Sequence, residues 1–344
     1  MSSESAIFVS DLLVDLVERR DLGGARMRGL MHVLVAGKLE EAETAALLTA
    51  LRMKGETAEE LAAAAGVLRE HMVPLETGRN DVLDTCGTGG DASGSFNIST
   101  ATAIVTAACG VPVVKHGNRA VSSRSGSADV LTELGVRLEG GAALARRCLD
   151  EAGIAFCFAP HFHPALGHLG PLRRRLRFRT LFNCLGPLAN PAGAAYQLLG
   201  VGRQDLLDPL AGALALLGAR RALVVWSRDG LDEVSLSAPT LVRAVHDGQV
   251  TAQEWTAADF GLEPCALADL QADGPKASAA VIGAVVAGQH GAARRVVLAN
   301  AAAALVAAER VPSLPEGVAV AAVAVDSGRA RNVLERLAAC SASP

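Results

Sequence analysis

Three stretches of the 344-residue chain carry residue types whose spacing suits chemistry. The first, Gly87-Thr88-Gly89-Gly90-Asp91, continues through Ser93-Gly94-Ser95 to Asn97-Ile98-Ser99-Thr100, where a helical pattern opens. Small residues let backbone N–H groups approach an anion closely, and a helix N-terminus adds the positive end of its dipole, so phosphate is the natural guest. The same string also reads as a tight surface turn with Ser99 as N-cap. It is not a Walker loop, because no G-x-x-x-x-G-K-[ST] occurs, and not a G-x-G-x-x-G fingerprint, because Ala92 stands where the third glycine belongs.

The second stretch, Lys115-His116-Gly117-Asn118-Arg119, leads into Ser122-Ser123-Arg124-Ser125-Gly126-Ser127. Two small-residue loops at neighbouring strand ends are where open α/β sheets bind ligands. Lys115 would be a point charge for phosphate or a solvated loop lysine; His116 would be a base or a structural histidine donating to backbone. The third stretch is the adjacent pair Asp232-Glu233, after the turn Arg228-Asp229-Gly230. Two carboxylates there suit Mg²⁺, which prefers hard oxygen ligands, or form a solvated turn; two nearby phosphate loops tip the balance toward metal. His161, His163 and His168 could supply zinc, but no Cys or carboxylate lies among them, so packing or substrate contact is more economical. The basic run Arg173 to Arg179 reads as a nucleic-acid patch, a solvated helix face, or a helix with one arginine that forks a substrate carboxylate.

The elements that position these residues follow from periodicity. Apolar residues recur at helical spacing from Ile7 to Met72, which predicts a block of roughly four helices. The pattern breaks between Pro74 and Asn80. Val82–Cys86, a glycine loop, a helix through Ala108 and Val111–Val114 then form a β-loop-α-β opening. Ile154–Phe158 and Leu223–Trp226 read as further buried strands, and Leu241–Trp255 as a hairpin around Asp247-Gly248. Residues between Pro164 and Pro191 turn helical again. The fold class is therefore α/β with a mixed sheet, and the length suggests about two domains.

Half the residues are hydrophobic, 20% are charged and only 3% are aromatic, so the core must be Ala, Leu and Val, and base stacking is disfavoured. A formal charge of −4 argues against a nucleic-acid binder. Apolar runs such as Val296–Ala308, interrupted by Asn300, fall short of the roughly 18 residues of a membrane span. No basic leader precedes the first apolar residues, and the seven scattered cysteines, without C-x-x-C, read as reduced cytosolic thiols.

In chain order these strings resemble the anthranilate phosphoribosyltransferase family, of the nucleoside phosphorylase and phosphoribosyltransferase fold. Leu51-Arg52-Met53-Lys54-Gly55-Glu56-Thr57 resembles its N-terminal signature. The glycine loop, Asn97-Ile98-Ser99-Thr100 and Lys115–Arg119 follow, then His163-Pro164-Ala165, Arg179-Thr180-Leu181-Phe182-Asn183, Gly186-Pro187-Leu188, Asn190-Pro191-Ala192, Asp229–Glu233 and Leu298-Ala299-Asn300-Ala301. The resemblance implies a small all-helical domain, 1–75 with 165–190, beside a larger α/β domain, 76–164 with 191–344. The latter has a central, mostly parallel mixed sheet flanked by helices. It further implies that Gly87, Gly90, Asp91, Ser95, Asn97, Ile98, Ser99, Thr100, Lys115, His116, Gly117, Asn118, Arg119, Ala120, Val121, Ser122, Ser123 and Ser127 cradle phosphoribosyl pyrophosphate. Ser99, Asp232 and Glu233 would serve Mg²⁺; Gly87, Asn118 and Arg173 would meet anthranilate; Lys115 would act electrostatically, with no general acid or base assigned. A cytoplasmic homodimer through the helical domain, working in tryptophan biosynthesis, completes the implication, with no nucleic-acid or membrane partner. Departures from the family pattern are Leu166-Gly167 where Met-Lys is common, Thr132 for a usual Glu, and Trp226-Ser227 where many members have His-Gly. The rival readings are a pyrimidine nucleoside phosphorylase-like enzyme and a non-catalytic nucleic-acid-binding paralogue.

Overall fold

A computed structural model describes residues 3–120 and 125–342, with side chains from Val9 onward. Four helices open the chain: α1 (Ser3–Val17), α2 (Gly23–Val35), α3 (Glu41–Lys54) and α4 (Ala58–Glu70). Their junction is built by the signature segment. Thr57 caps α4 by accepting from the Glu60 amide at 3.2 Å, and the Glu60 carboxylate accepts in return from the Thr57 amide at 2.9 Å. Glu60 is fully buried, and the Leu22 amide (2.8 Å) and Lys54 Nζ (2.8 Å) complete its shell, tying the ends of three helices.

Among the described residues seven strands form one sheet: β1 (Leu83–Gly87), β2 (Val113–Gly117), β3 (Ile154–Phe158), β4 (Tyr196–Gly200), β5 (Arg221–Ser227), β6 (Thr240–His246) and β7 (Gln249–Trp255). Their order is β3-β2-β1-β4-β5-β6-β7. The first five are parallel, and β6 and β7 are antiparallel, so the sheet is mixed as expected. The hairpin turns at Asp247 (φ +47°) and Gly248 (φ +77°), the left-handed pair that a tight hairpin requires. Strand β4 was not anticipated. It inserts between β1 and β5, in register from Leu83↔Tyr196 to Gly87↔Gly200.

Among the described residues eleven further α-helices follow: α5 (Ile98–Ala108), α6 (Ser127–Glu133), α7 (Gly141–Ala152), α8 (Ala159–Phe162), α9 (Gly170–Leu176), α10 (Phe182–Leu188), α11 (Leu207–Leu216), α12 (Gly274–Val286), α13 (Ala292–Ala307), α14 (Leu314–Asp326) and α15 (Arg329–Ala342). One face of the sheet packs on α5, α7 and α12–α15. The other packs on α11 and continues into the core shared by α1–α4 and α10. Ala299 and Ala301–Ala304 of α13 are fully buried, the Ala-rich core the composition required. Among the described residues no helix is long and apolar enough to cross a membrane. All seven cysteines are free, five of them buried.

Because β2 and β3 lie to one side of β1 while β4 and β5 lie to the other, the strand order reverses between β1 and β4. Their C-terminal ends, Gly87 and Gly200, open the crevice where such sheets bind ligands.

Candidate active site

Both glycine-rich loops leave the sheet at this crevice. After Gly87 the chain turns left-handed at Gly89 (φ +67°), Gly90 (φ +83°) and Gly94 (φ +68°), and also at Ala92 (φ +57°), the position that breaks the fingerprint. The loop is pinned to β4: the Thr88 amide donates to Gly200 O at 2.9 Å, and Thr88 Oγ1 accepts from the Gly202 amide at 3.0 Å. Arg179 donates to Thr88 O and lies against Gly90, so a Cβ there would meet its guanidinium.

The loop ends at α5, whose N-cap is Asn97, not Ser99. Asn97 Oδ1 accepts from the Thr100 amide at 3.0 Å and from Ser99 Oγ at 3.3 Å, so Ser99 supports the cap rather than forming it. Lys115, nearly fully buried at the end of β2, donates to Thr85 O and, at 2.9 Å, to Ser99 Oγ. It is therefore not a solvated loop lysine. Burial pushes its pKa down, against the pull of Asp84, Glu233 and Asp232.

The acidic pair comes over the same point. Asp232 Oδ2 would lie 3.1 Å from a Cβ on Gly87, and a Cβ on Gly200 would run into the Asp232 carbonyl. Glu233 accepts a hydrogen bond from the Ser99 amide, and Asp91 hydrogen-bonds to Asp232. Burial, then the Asp91 charge, pushes Asp232 up to about 7; burial, then Asp232, pushes Glu233 well above the usual carboxylate range. Arg179 opposes this at Asp232, and Lys115 at Glu233. Three mutually repelling carboxylates beside a serine hydroxyl make an all-oxygen donor set, which fits Mg²⁺. The turn is braced from behind. Asn300 on α13 grips Val234 at both its N–H and C=O (2.9 Å each), and Ser227 Oγ donates to Glu233 O at 2.8 Å. The departure at Ser227 thus supplies a brace for the acidic turn.

The described ends of the second loop approach closely: a Cβ on Gly117 would collide with Ser127 Oγ, and one on Gly126 with the Ala120 amide. Asp129, in the first turn of α6, organises it by accepting from the Ala120 amide (2.9 Å), the Gly126 amide (3.1 Å) and Arg119 Nη1 (3.1 Å). Asn118 and Arg119 are exposed, and the Arg119 guanidinium covers the Phe158 ring at 5.7 Å. Val121, Ser122 and Ser123 lie outside the described residues.

Three expected site residues sit differently. Ile98 and Thr100 have buried side chains, and the Thr100 amide is occupied by the cap. The His116 ring turns away into the core, where Nδ1 donates to Gly186 O at 2.9 Å; burial lowers its pKa to about 3. It is a structural histidine rather than a base. The zinc reading likewise fails: His163 Nε2 donates to Ala189 O (3.1 Å) and His168 Nε2 to Leu34 O (3.0 Å), while His161 packs edge-on to Phe158.

In the basic run, Arg173 is partly buried with its guanidinium 5.4 Å from the Phe182 ring centroid, while Arg174 and Arg175 are exposed. Desolvation, then repulsion from Arg179, lowers the Arg173 pKa.

Comparison with known proteins bears on this geometry. Family profiles described as "Glycosyl transferase family, helical bundle domain" and "Glycosyl transferase family, a/b domain" match residues 10–72 and 79–331. An anthranilate phosphoribosyltransferase of Thermomicrobium roseum is 52% identical over 311 residues, 89% of each chain. The chain belongs to the anthranilate phosphoribosyltransferase family. The solved enzyme of this family from Thermus thermophilus superposes with a TM-score of 0.90 at 42% identity, over 97% of this chain and 100% of that one. One from Saccharomyces cerevisiae, in complex with phosphoribosyl pyrophosphate and Mg, gives 0.90 at 27% identity, over 100% and 99%.

Within this anthranilate phosphoribosyltransferase scaffold, four polar residues escaped the sequence reading. Asp84, fully buried in β1, accepts from the His116 amide (3.2 Å) and Asn190 Nδ2 (2.8 Å), and burial raises its pKa to about 6 despite Lys115. Arg179 and Asp129 hold the two loops. Glu56 lines a cavity of about 20 Å³ with Arg52, Gly90, Arg179 and Thr180. Asp129 had a signal, an acidic residue three positions after Gly126; Glu56 and Arg179 lay within quoted motifs without an assigned role.

Proposed function

We infer that the chain transfers the phosphoribosyl group from phosphoribosyl pyrophosphate to the amine of anthranilate, giving N-(5-phosphoribosyl)anthranilate and pyrophosphate, a step of tryptophan biosynthesis. The observation that carries the reading onto this chain is the meeting of the glycine loop, the Lys115–Ser99 contact and the Asp91, Asp232 and Glu233 carboxylates at one crevice. Displacement at the anomeric carbon proceeds with inversion through an oxocarbenium-like transition state, with negative charge growing on the leaving pyrophosphate.

In the proposed assignment, the loop amides from Gly87 to Ser95 and the buried Lys115 ammonium bind and orient that pyrophosphate. They stabilise its developing charge without reorganising. Asp232, Glu233 and Ser99, with Asp91 beside them, would hold Mg²⁺, which when bound neutralises phosphate oxygens. Asn118 and the second loop, shaped by Asp129, would close over the ribosyl phosphate. Arg173, with the Gly87 backbone and Asn118, would meet anthranilate and aim its amine. An aromatic amine loses its proton readily once attack has begun, so no strong general base is required.

Residues 1–75 with 165–190 are proposed as the small domain and the remainder as the α/β domain; the packing of α10 with α1–α4 supports this, in a core that runs on into α11 and the sheet. Exposed Val14, Val17 and Met53 on the packed pair α1 and α3 support a homodimer through that domain. Seven free cysteines suit the cytoplasm.

The deciding experiment is anthranilate fluorescence, which should fall only when phosphoribosyl pyrophosphate and Mg²⁺ are both present. Phosphate-dependent cleavage of thymidine would favour the phosphorylase reading, and a DNA gel shift the nucleic-acid paralogue.

A further inference from the structure

Far along the helical block from the glycine loops, His32 on α2 and Glu70 and His71 at the end of α4 bring one ligand atom each within 4.8 Å of one another. Among the described residues they are the one trio of His, Cys, Asp or Glu so gathered. Three features make the cluster more than chance proximity. His71 Nδ1 lies 2.9 Å from Val67 O. A carbonyl can only accept, so the proton sits on Nδ1 and Nε2 keeps its lone pair. Such a bond behind the ring is the outer-shell support that fixes ligating histidines. Arg28 donates to Glu70 Oε1 at 2.7 Å, which holds the carboxylate in place. Its other oxygen stands 3.8 Å from His32 Nε2, too far for a hydrogen bond. The two imidazoles meet edge to face, centroids 5.6 Å apart at 63°, rather than stacking.

We propose that His32, Glu70 and His71 form a surface site for a borderline divalent cation of the Zn²⁺ type, bound through two imidazole nitrogens and one carboxylate oxygen. Two nitrogen donors select such an ion over Mg²⁺, which takes oxygen. Metal–ligand bonds of about 2.0–2.2 Å place ligand atoms roughly 3.3 Å apart, so small rotations of three exposed side chains close the site. Arg28 stays on the free carboxylate oxygen, and water takes the fourth position. The ion would clasp α2 to α4, adding a cross-link to the helical block without touching the transferase crevice.

The test is Zn²⁺ titration of the untagged chain against a chromogenic chelator, comparing wild type with His32→Ala, His71→Ala and Glu70→Gln. Wild type should bind one equivalent with a dissociation constant on the order of micromolar, and each histidine variant should weaken it about tenfold or more. Zn²⁺ should raise Tm in wild type but not in His32→Ala, and Mg²⁺-dependent turnover should be equal in all four. The catalytic carboxylates are the competing destination, so the titration is repeated in Asp232→Asn/Glu233→Gln. Zn²⁺ uptake that survives both histidine substitutions, or that vanishes in the carboxylate variant, would overturn the proposal. So would binding weaker than about 100 μM.

Discussion

Arg173 differs from its neighbours in what surrounds it. Its guanidinium lies over Phe182 and is partly desolvated, whereas Arg175 pairs with Glu41 in solvent and Arg174 is exposed. A charge-assisted fork on a carboxylate gains most where water is excluded, so Arg173→Ala should raise the anthranilate KM by about tenfold to a hundredfold, or about 1.5–3 kcal/mol. The KM for phosphoribosyl pyrophosphate should move little. Arg174→Ala and Arg175→Ala should change either KM by less than about threefold. Arg173→Lys keeps the charge but loses the plane and should recover only part of the affinity. Equal losses in all three alanine variants would mean a diffuse electrostatic funnel instead. At the acidic pair the expectation is opposite for activity and stability: Asp232→Asn with Glu233→Gln should abolish turnover yet leave Tm unchanged or higher, because it removes two buried, mutually repelling carboxyls. Near-normal turnover in Mg²⁺ buffer would rule out the metal assignment.

Elements, rather than single residues, decide whether that pair is aimed correctly. Strand β4 ends at Gly200 with no room for a side chain, because the Asp232 carbonyl occupies the space. Helix α13 holds the other side through two hydrogen bonds of Asn300, to Val234 O and Val234 N, while a third, to Val296 O within α13, fixes the Asn300 amide. Asn300→Ala should cost about 2–3 kcal/mol, from buried backbone groups left unpaired, and should lower kcat more than it raises either KM. Unchanged kcat with the same stability loss would make Asn300 a packing residue only. These dependences mark the limit of what was legible beforehand. Strand β3 was readable to the residue, since Ile154–Phe158 is an unbroken run between Gly153 and Pro160. Strand β4 was not, because Tyr196-Gln197-Leu198-Leu199-Gly200 has little β-branched character and becomes a strand through pairing with β1 and β5. The acidic pair and Lys115 could be named from local spacing. Asp84 could not, because its partner Asn190 lies 106 residues away. The N-cap was misplaced by two positions because Asn97, Ser99 and Thr100 are all competent capping types, and only the backbone angle decides between them.

For the whole molecule, the crevice couples protons, metal and stability. Burial raises Asp84 to about 6 and Asp232 to about 7 and pushes Glu233 well above its usual range, whereas in the unfolded chain all three ionise near 4. Their folded pKa values are raised, so the folded state holds protons that the unfolded state has released. This cluster's contribution is therefore most favourable below about pH 4 and is lost as pH rises through 6 and 7. Other carboxylates, such as Asp15 and Asp326, are held below their usual range by arginines and run the opposite way, so the cluster is best isolated by difference. The Tm of Asp232→Asn minus that of wild type, measured without divalent ions, should grow as pH rises from 5 to 8. Mg²⁺ needs ionised carboxylates, so below pH 7 its binding must expel protons, and its affinity should strengthen until the cluster is deprotonated. By linkage, the Tm gain from a fixed Mg²⁺ concentration should increase between pH 6 and 8 and vanish in Asp232→Asn/Glu233→Gln. Calorimetric titration at pH 6.5 in buffers of different ionisation enthalpy counts the released protons directly. A Mg²⁺ stabilisation that is flat across this range, with no proton release, would mean the carboxylates are already ionised and that Arg179 and Lys115, rather than retained protons, neutralise the site.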